Sequence, residues 1–301
     1  MHVPDGFLTN RIALSLDGLS VASLFYAARR MKLEASARII PIMGVLSAFV
    51  FVAQMLNFPL LGGTSGHLVG GALLGILLGP IAGILTMATV IIAQALFLQD
   101  GGLVALGANI FNIGAVTSFS GYAVYRLFGA PERQGKHLAF TAFLAGWISV
   151  VISAAACALE LGLSGAVPLE VALPAMTGYH ALIGIVEGAL TAGVLSFFAR
   201  VRPDLLKRDF RPRFAVADGI GTMILVAVPL AILGLAGSSN LPDPLQALLN
   251  GAVSRDAQRE SLLSTDRAAD LHRVVAYVVL LALCGLAFWA ARMAMSRRSR
   301  P

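Results

Sequence analysis

The feature that most constrains this chain is a series of apolar runs separated by short polar breaks. A helix that crosses the hydrocarbon core of a bilayer needs roughly 20 apolar residues, and most of these runs approach that length. Hydrophobic residues make up 57% of the chain and charged residues only 13%, which excludes an ordinary water-soluble domain. The sequence therefore predicts an all-α, polytopic transmembrane helical bundle. About nine spans are expected, near residues 11–28, 39–57, 67–79, 81–98, 109–128, 138–163, 179–200, 214–236 and 272–292.

The basic residues are distributed unevenly between the loops, and this distribution indicates the orientation. Most Lys and Arg residues lie in one set of loops, which includes 29–32, 133–136, 200–213 and 297–300, whereas the other set holds Arg11 and a few within 255–273, beside acidic residues. Cytoplasmic loops carry such an excess of positive charge. The N-terminus is therefore expected outside and the C-terminus in the cytoplasm, in a prokaryotic cell (inner) membrane. The net charge of +6 then reflects orientation and affinity for anionic lipid, and no nucleic-acid partner is expected.

The third predicted span is short, and it is unusually rich in glycine. Residues 67–79 are fewer than a crossing usually needs, but the loops on either side require two crossings between Gly66 and Gln99. Glycines spaced four apart let helix backbones approach closely in lipid. We therefore expect close helix packing in this region. The glycines concerned are Gly66, Gly70, Gly71, Gly75, Gly79 and Gly83.

The N-terminus carries a possible metal-binding group. It has no basic stretch of the kind that opens a signal peptide, so Met1 is expected to be retained. The α-amino nitrogen of Met1, the amide nitrogen of His2 and the His2 imidazole can close two fused chelate rings around one metal ion. His67, at the end of the loop NFPLLGGTSGH, is the best-placed fourth ligand. A planar set of four nitrogens suits Ni²⁺ or Cu²⁺. The alternative is that His2 is a solvated terminal residue.

Four blocks of sequence resemble a known family. MHVPDGFL, GGTSGHLVGGALLG, ALFLQDGGLVALGANIFNIGAV and YHALIGIVEGALT, in this order between residue 1 and about 200, are similar to the substrate-binding membrane subunits (NikM and CbiM) of nickel and cobalt energy-coupling factor transporters. The resemblance implies that Met1, His2 and His67 hold the metal. It also implies that Thr64, Ser65 and Gly66 position the loop that carries the histidine.

Four further polar residues in the predicted spans are candidates for supporting the site. Asn109 and Asn112 could hydrogen-bond to the ligands or to loop carbonyls, or they could make packing contacts between helices. His180 and Glu187 are seven residues apart and share one face of a helix. An ionisable residue at membrane depth is a functional candidate. A structural hydrogen bond to a neighbouring helix is the alternative, and it is the one we favour.

The chain is expected to have two parts. Residues 1–200 form the metal-binding membrane domain, and residues 201–301 form a two-span extension with an external loop. The extension is similar to the small accessory subunit that such transporters use. Its segment NLPDPL, at 240–245, resembles the Pro-Asp-Gly-Leu motif of some accessory subunits, but Pro244 stands in place of the glycine. The extension could help the metal site to load, or it could be a stabilising hairpin.

The resemblance implies high-affinity uptake of Ni²⁺ or Co²⁺, which are substrates, and no resident cofactor is expected. The chain has no G-x-x-x-x-G-K-[ST] loop, so no enzymatic activity is expected. ATP hydrolysis is assigned to partners, a membrane coupling subunit and two ATPase subunits. An ion-coupled secondary transporter is the alternative, but Glu187 is the only candidate for a coupling carboxylate. The choice between nickel and cobalt leans to nickel because a planar nitrogen set suits a d⁸ ion.

Overall fold

The computed structural model describes residues 1–34, 39–60, 64–128, 135–201 and 242–252, and this part of the chain is mostly helical. Its elements, in chain order, are α1 (Asn10–Glu34), α2 (Ile39–Gln54), β1 (Asn57–Leu60), β2 (Thr64–His67), α3 (Gly71–Leu78), α4 (Pro80–Ala93), a π-helical turn (Gln94–Leu98), α5 (Leu106–Asn109), a second π-helical segment (Ile110–Val116), α6 (Thr117–Leu127), α7 (Lys136–Leu163), α8 (Leu169–Val201) and α9 (Pro244–Ala252).

Long apolar helices confirm a multi-pass membrane protein. Within the described residues, four helices are long and apolar enough to cross a bilayer, namely Asn10–Met31, Pro80–Leu98, Lys136–Leu163 and Leu169–Val201. The shorter α2 is also apolar, and α5 and α6 continue one another through the π-helical segment between them. The predicted spans at 214–236 and 272–292 lie outside the described residues. The count of nine and the orientation of the termini therefore stay predictions.

Helix α8 begins ten residues before the predicted span at 179–200, at Leu169. Pro174 lies inside the helix, near its N-terminal end. Pro174 is the sixth residue of the helix and lacks the N–H that would donate to the Glu170 carbonyl, so the helix loses one hydrogen bond near its N-terminal end. The additional turns bring the start of α8 to the same end of the bundle as the N-terminal segment.

The sequence suggested a simple loop before the third span. The structure instead contains a short antiparallel hairpin there. Strand β1 pairs with β2, with Asn57 opposite His67 and Leu60 opposite Thr64. The helix that follows, α3, is only eight residues long. At 1.5 Å per residue it extends about 12 Å, which is less than half the thickness of the hydrocarbon core. The prediction of an all-α fold therefore misses one small sheet, because the Gly-rich sequence gives no strand signal.

The expected close packing of glycines is confirmed around α3 except at Gly79, where a Cβ atom would meet nothing within 4 Å. A Cβ atom on Gly75 would collide with the main-chain carbonyl of Ser118 in α6, and one on Gly83 would come within 3.1 Å of the Cα atom of Gly75 itself. Helix α3 is thus held between α4 and α6 at distances that only glycine permits. The same principle operates between α7 and α8, where a Cβ atom on Gly146 would lie 3.0 Å from the Cα atom of Gly188.

The elements that matter for function meet at one end of the bundle. The N-terminal segment packs there against the turn before α5, and its Thr9 N–H donates to Ser164 Oγ at the end of α7 (3.2 Å). The hairpin and α9 meet at the same end, because Ser65 N–H in β2 donates to the carbonyl of Pro242 (2.8 Å). Four segments that are distant in sequence therefore surround Met1.

Candidate metal centre

The chain terminus is buried in the bundle. Residues Met1 and His2 are only 1% and 4% exposed, and Val3 is fully buried. The alternative that His2 is a solvated terminal residue is therefore wrong. Burying a polar imidazole and a terminal amine has a cost unless both have partners, so their surroundings indicate what the terminus does.

Asn109 fixes the backbone next to His2. Its Oδ1 accepts a hydrogen bond from the Val3 N–H (2.7 Å), and its Nδ2 donates to the Val3 carbonyl (3.1 Å). The same carbonyl accepts from the Gly102 N–H (2.9 Å). The Asn109 amide thus pairs with Val3 in the way that one strand pairs with another. Of the two alternatives for Asn109, the structure favours support of the N-terminal segment.

Asp5 anchors the other end of the N-terminal segment. Its carboxylate accepts hydrogen bonds from the N–H groups of Leu103, Val104 and Ala105. These N–H groups come immediately before α5, where the helix itself leaves such donors without partners. The sequence analysis did not identify Asp5, although an acidic residue after proline and before glycine is a turn signal.

The hairpin presents His67 to the terminal amine. His67 is the last residue of β2, and its Nδ1 lies 2.9 Å from the carbonyl oxygen of Leu68. Since a carbonyl only accepts, Nδ1 carries the proton and Nε2 has a free lone pair. That Nε2 lies 2.9 Å from the α-amino nitrogen of Met1. Gly66 makes the approach possible, because a Cβ atom there would lie 2.7 Å from Ile183 Cγ1.

Glu187 holds the chain immediately after His67. Its two carboxylate oxygens accept hydrogen bonds from the N–H groups of Val69 (2.8 Å) and Gly70 (2.6 Å). Gln54, which the sequence analysis did not identify, donates to the Val69 carbonyl (2.6 Å). Glu187 therefore has the structural role that we favoured, and through it supports the segment that carries His67.

Asn112 and His180 make their hydrogen bonds elsewhere. Asn112 Nδ2 donates to the carboxylate of Glu160 in α7 (2.7 Å), and the main-chain carbonyl of Asn112 accepts from the Ser153 hydroxyl (2.7 Å). His180 Nδ1 bonds to the Met176 carbonyl of its own helix (2.8 Å). For these two residues the described contacts support helix structure and helix packing. Thr64 and Ser65 are buried in β2, where they pair with Leu60 and Pro59.

Neither nitrogen of the buried His2 imidazole makes a well-directed hydrogen bond, and the ring interacts with the side chain of Gln94. Its ring stacks on His67, with centroids 5.6 Å apart. Asp100 Oδ1 lies 3.3 Å from Nδ1, too poorly directed for a hydrogen bond. The fully buried Gln94 has no other described partner for its amide atoms. Burial lowers the pKa of both imidazoles, that of His67 to about 3, so both rings are neutral with free lone pairs at physiological pH.

Asp243 comes from the extension and touches the terminal amine. Its Oδ2 accepts from the α-amino group of Met1 (2.7 Å), while its Oδ1 accepts from the Gln246 N–H (2.7 Å) and caps α9. Burial acts to raise the pKa of this carboxyl, but the neighbouring α-ammonium group outweighs it and holds the pKa well below its usual range. Sequence reasoning missed Asp243, although Asp followed by Pro244 is the signal of a helix start.

The groups that meet here are nitrogen donors, and they do not form the cluster of ligating side chains that is usual in a metal site. Within the described residues, no three His, Cys, Asp or Glu side chains converge as a conventional metal site. Two nitrogens that bind a metal at about 2.0–2.1 Å and at a right angle lie about 2.8–3.0 Å apart. The 2.9 Å between the Met1 nitrogen and His67 Nε2 matches this separation. A transition-metal ion that prefers nitrogen fits the donor set.

Two solved structures have the same fold. A truncated transition metal transporter covers 67% of this chain and 99% of its own, with a TM-score of 0.61 and 32% identity. A second transition metal transporter gives a TM-score of 0.60 and 33% identity, over 67% of this chain and 93% of its own. Fold and sequence together define an integral membrane transport protein of the transition-metal transporter class.

The family follows from the sequence comparisons. Residues 2–205 match the family model of CbiM, the cobalt uptake substrate-specific transmembrane region. A protein of Archaeoglobus fulgidus, inferred to be a fused nickel transport protein NikMN, is 45% identical over 229 residues, 75% of each chain. The fused nickel transport protein NikMN of Rhodobacter capsulatus is 31% identical over 253 residues, which are 77% of this chain and 73% of the relative. This chain belongs to the CbiM family, and both of these relatives are transport proteins by name.

Proposed function

We propose that this protein is the substrate-binding membrane subunit of an uptake system for Ni²⁺ or Co²⁺. The single observation that carries the proposal is the meeting of the Met1 α-amino nitrogen and His67 Nε2 at 2.9 Å, beside the buried His2 imidazole. The relatives named as nickel and cobalt transport proteins support the choice of metals.

The proposed ligands are the Met1 amine, the His2 amide nitrogen, His2 Nδ1 and His67 Nε2. The amine and the His2 nitrogens form the two fused chelate rings, and His67 fills the corner next to the amine. The Nδ1–H of His67 is held by the Leu68 carbonyl, as the second nitrogen of a ligating imidazole usually is. Nickel is the favoured substrate because four nitrogens in a plane suit its d⁸ configuration.

Transport is proposed to be driven by ATP through partner proteins, a membrane coupling subunit and two ATPase subunits. The metal is taken up from outside the cell, in agreement with the predicted nine-span topology and the predicted external N-terminus. An ion-coupled secondary transporter would need a carboxylate that is free to exchange ions near the middle of the bilayer. Both oxygens of Glu187 are occupied by backbone N–H groups, which weighs against this role.

The test is metal binding by the purified protein, followed by competition between Ni²⁺ and Co²⁺. Replacing His67 by Ala removes one of the four ligands and should abolish binding and uptake. The matched control is His137→Ala, because His137 is exposed at the opposite end of α7 from the site. Normal metal affinity in the His67→Ala variant would refute the ligand assignment.

Uptake in cells that lack the coupling and ATPase subunits tests the energy source. The proposal requires that uptake by this chain falls to background without them and returns when they are supplied. Uptake by this chain alone that depends on a proton or sodium gradient would instead establish the secondary transporter.

A further inference from the structure

Asp243 links the extension to the terminal amine. The α-amino group of Met1 has two described contacts, Asp243 Oδ2 at 2.7 Å and His67 Nε2 at 2.9 Å. Asp243 is only 15% exposed, and it lies beyond residues 2–205, which match the CbiM family model. The extension therefore places an ionised carboxylate directly against an atom of the proposed metal site.

Charge is the first reason to expect that this carboxylate acts on metal binding. A divalent ion held by one deprotonated amide, one neutral amine and two neutral imidazoles leaves one net positive charge. In a buried site such a charge is costly unless a partner balances it. Asp100 is near His2, but it is 38% exposed, and solvent screens its charge. Asp243 is the better-buried counter-ion.

Hydrogen bonding is the second reason. A primary amine that gives its lone pair to a metal keeps two N–H groups, and one of them can still donate to Asp243. A carboxylate that accepts from a ligand strengthens that ligand and fixes its direction, as it does for metal-bound imidazoles. The Leu68 carbonyl does this for His67. The Met1 amine needs a similar partner, and Asp243 is in place.

We propose that Asp243 is a positioning and charge-balancing residue of the metal site, which holds the Met1 amine beside His67 Nε2 and offsets the residual positive charge of the bound ion. This inference rests on the ligand set proposed above. It gives the extension a defined task, since α9 brings a group to the site that the first 200 residues do not supply.

The structure allows a substitution that removes the charge and the acceptor facing Met1 but keeps the cap of α9. Asp243 is also the N-cap of α9, and Asn and Ser cap helices about as well as Asp. Helix α9 keeps its other attachments in these variants, because the Pro242 carbonyl still accepts from Ser65 and the buried Leu245 and Leu249 are unchanged. Asp243→Asn therefore preserves the cap through its one amide oxygen, while the amide NH₂ replaces the oxygen that accepts from the Met1 amine.

The experiment measures the Ni²⁺ affinity and the ligand-field absorption of bound Ni²⁺ in the full-length protein. Asp243→Asn should weaken affinity by about 10–100-fold, the usual loss when a hydrogen-bond partner of a ligand is removed. The absorption bands should not move, because the four nitrogens remain. Asp243→Ser serves as a second cap without charge if the Asn variant does not accumulate. Glu170→Gln is the control, since Glu170 is an exposed carboxylate in the first turn of α8.

The outcomes separate this inference from the proposed function. Affinity within about threefold of wild type in the Asn or Ser variant overturns the inference, because a residue that only caps α9 would behave in that way. Shifted absorption bands also overturn it, since Asp243 would then be a ligand itself. If His67→Ala binds Ni²⁺ normally in the same assay, the proposed function fails, whatever Asp243 does.

Discussion

One added residue before Met1 should destroy the metal site. The α-amino group would become a peptide nitrogen without a free lone pair, and the new amine would lie about 3.3–3.6 Å further along the chain. The site has no room for this change. The Met1 side chain is 1% exposed, and its nitrogen already lies 2.7 Å from Asp243 and 2.9 Å from His67.

The expected loss of metal affinity exceeds the loss expected when any residue that supports a ligand is replaced. Removing a hydrogen-bond partner of a ligand costs about 10–100-fold in metal affinity, so removing a ligand should cost more than about 100-fold, or about 2.7 kcal/mol. The assay is isothermal titration with Ni²⁺ on protein carrying one N-terminal Ala. Mass spectrometry of the wild-type protein should show a retained, unformylated Met1.

Two controls make this result interpretable. A fusion that is cleaved to restore the native Met1 should recover binding, and a tag after Pro301 should leave binding unchanged. Thermal unfolding of the extended protein reports how much of the loss is structural, because the ion pair with Asp243 is lost together with the ligand. If the extended protein binds Ni²⁺ or Co²⁺ as tightly as the native one, the amine is not a ligand and the chelate mechanism is wrong.

The remaining predictions concern support, packing and pH. Asn109→Ala removes both hydrogen bonds to Val3, and we expect about tenfold weaker metal binding by titration. Glu187→Gln turns an N–H donor towards a backbone N–H and should cost about 1–3 kcal/mol of stability in thermal unfolding. Gly75→Leu forces α3 away from α6, so uptake should fall while the solubilised protein still binds metal, and normal uptake would contradict this account. The stability of the fold should decrease as the pH falls below about 6.5. The unfolded chain then binds protons at imidazoles that the folded protein keeps neutral, in the case of His67 down to about pH 3. A His67→Gln variant should therefore show a weaker pH dependence in melting experiments.

The local sequence predicts much of the membrane fold, because span length and glycine spacing are properties of neighbouring residues. Helices α1, α2, α4, α7 and the helix ending in α6 lie where the apolar runs predict them. Packing around Gly75 also follows from spacing alone. The start of α8 and the hairpin were missed, since an early proline and a Gly-rich loop are ambiguous without their tertiary contacts.

The candidate site also combines features that local sequence predicts with contacts that only the tertiary structure shows. Fused chelation by Met1 and His2 would involve adjacent atoms only, so the sequence by itself is enough to predict a metal-binding N-terminus. The tertiary structure decides that His67 meets the amine, that Asn109 holds Val3, and that Asp243 reaches Met1 across 242 positions of sequence. Contacts of this kind depend on how helices and a hairpin pack at one end of the bundle. Covalent neighbours are fixed by the order of residues, whereas distant partners are fixed only when burial and hydrogen bonding bring their segments together.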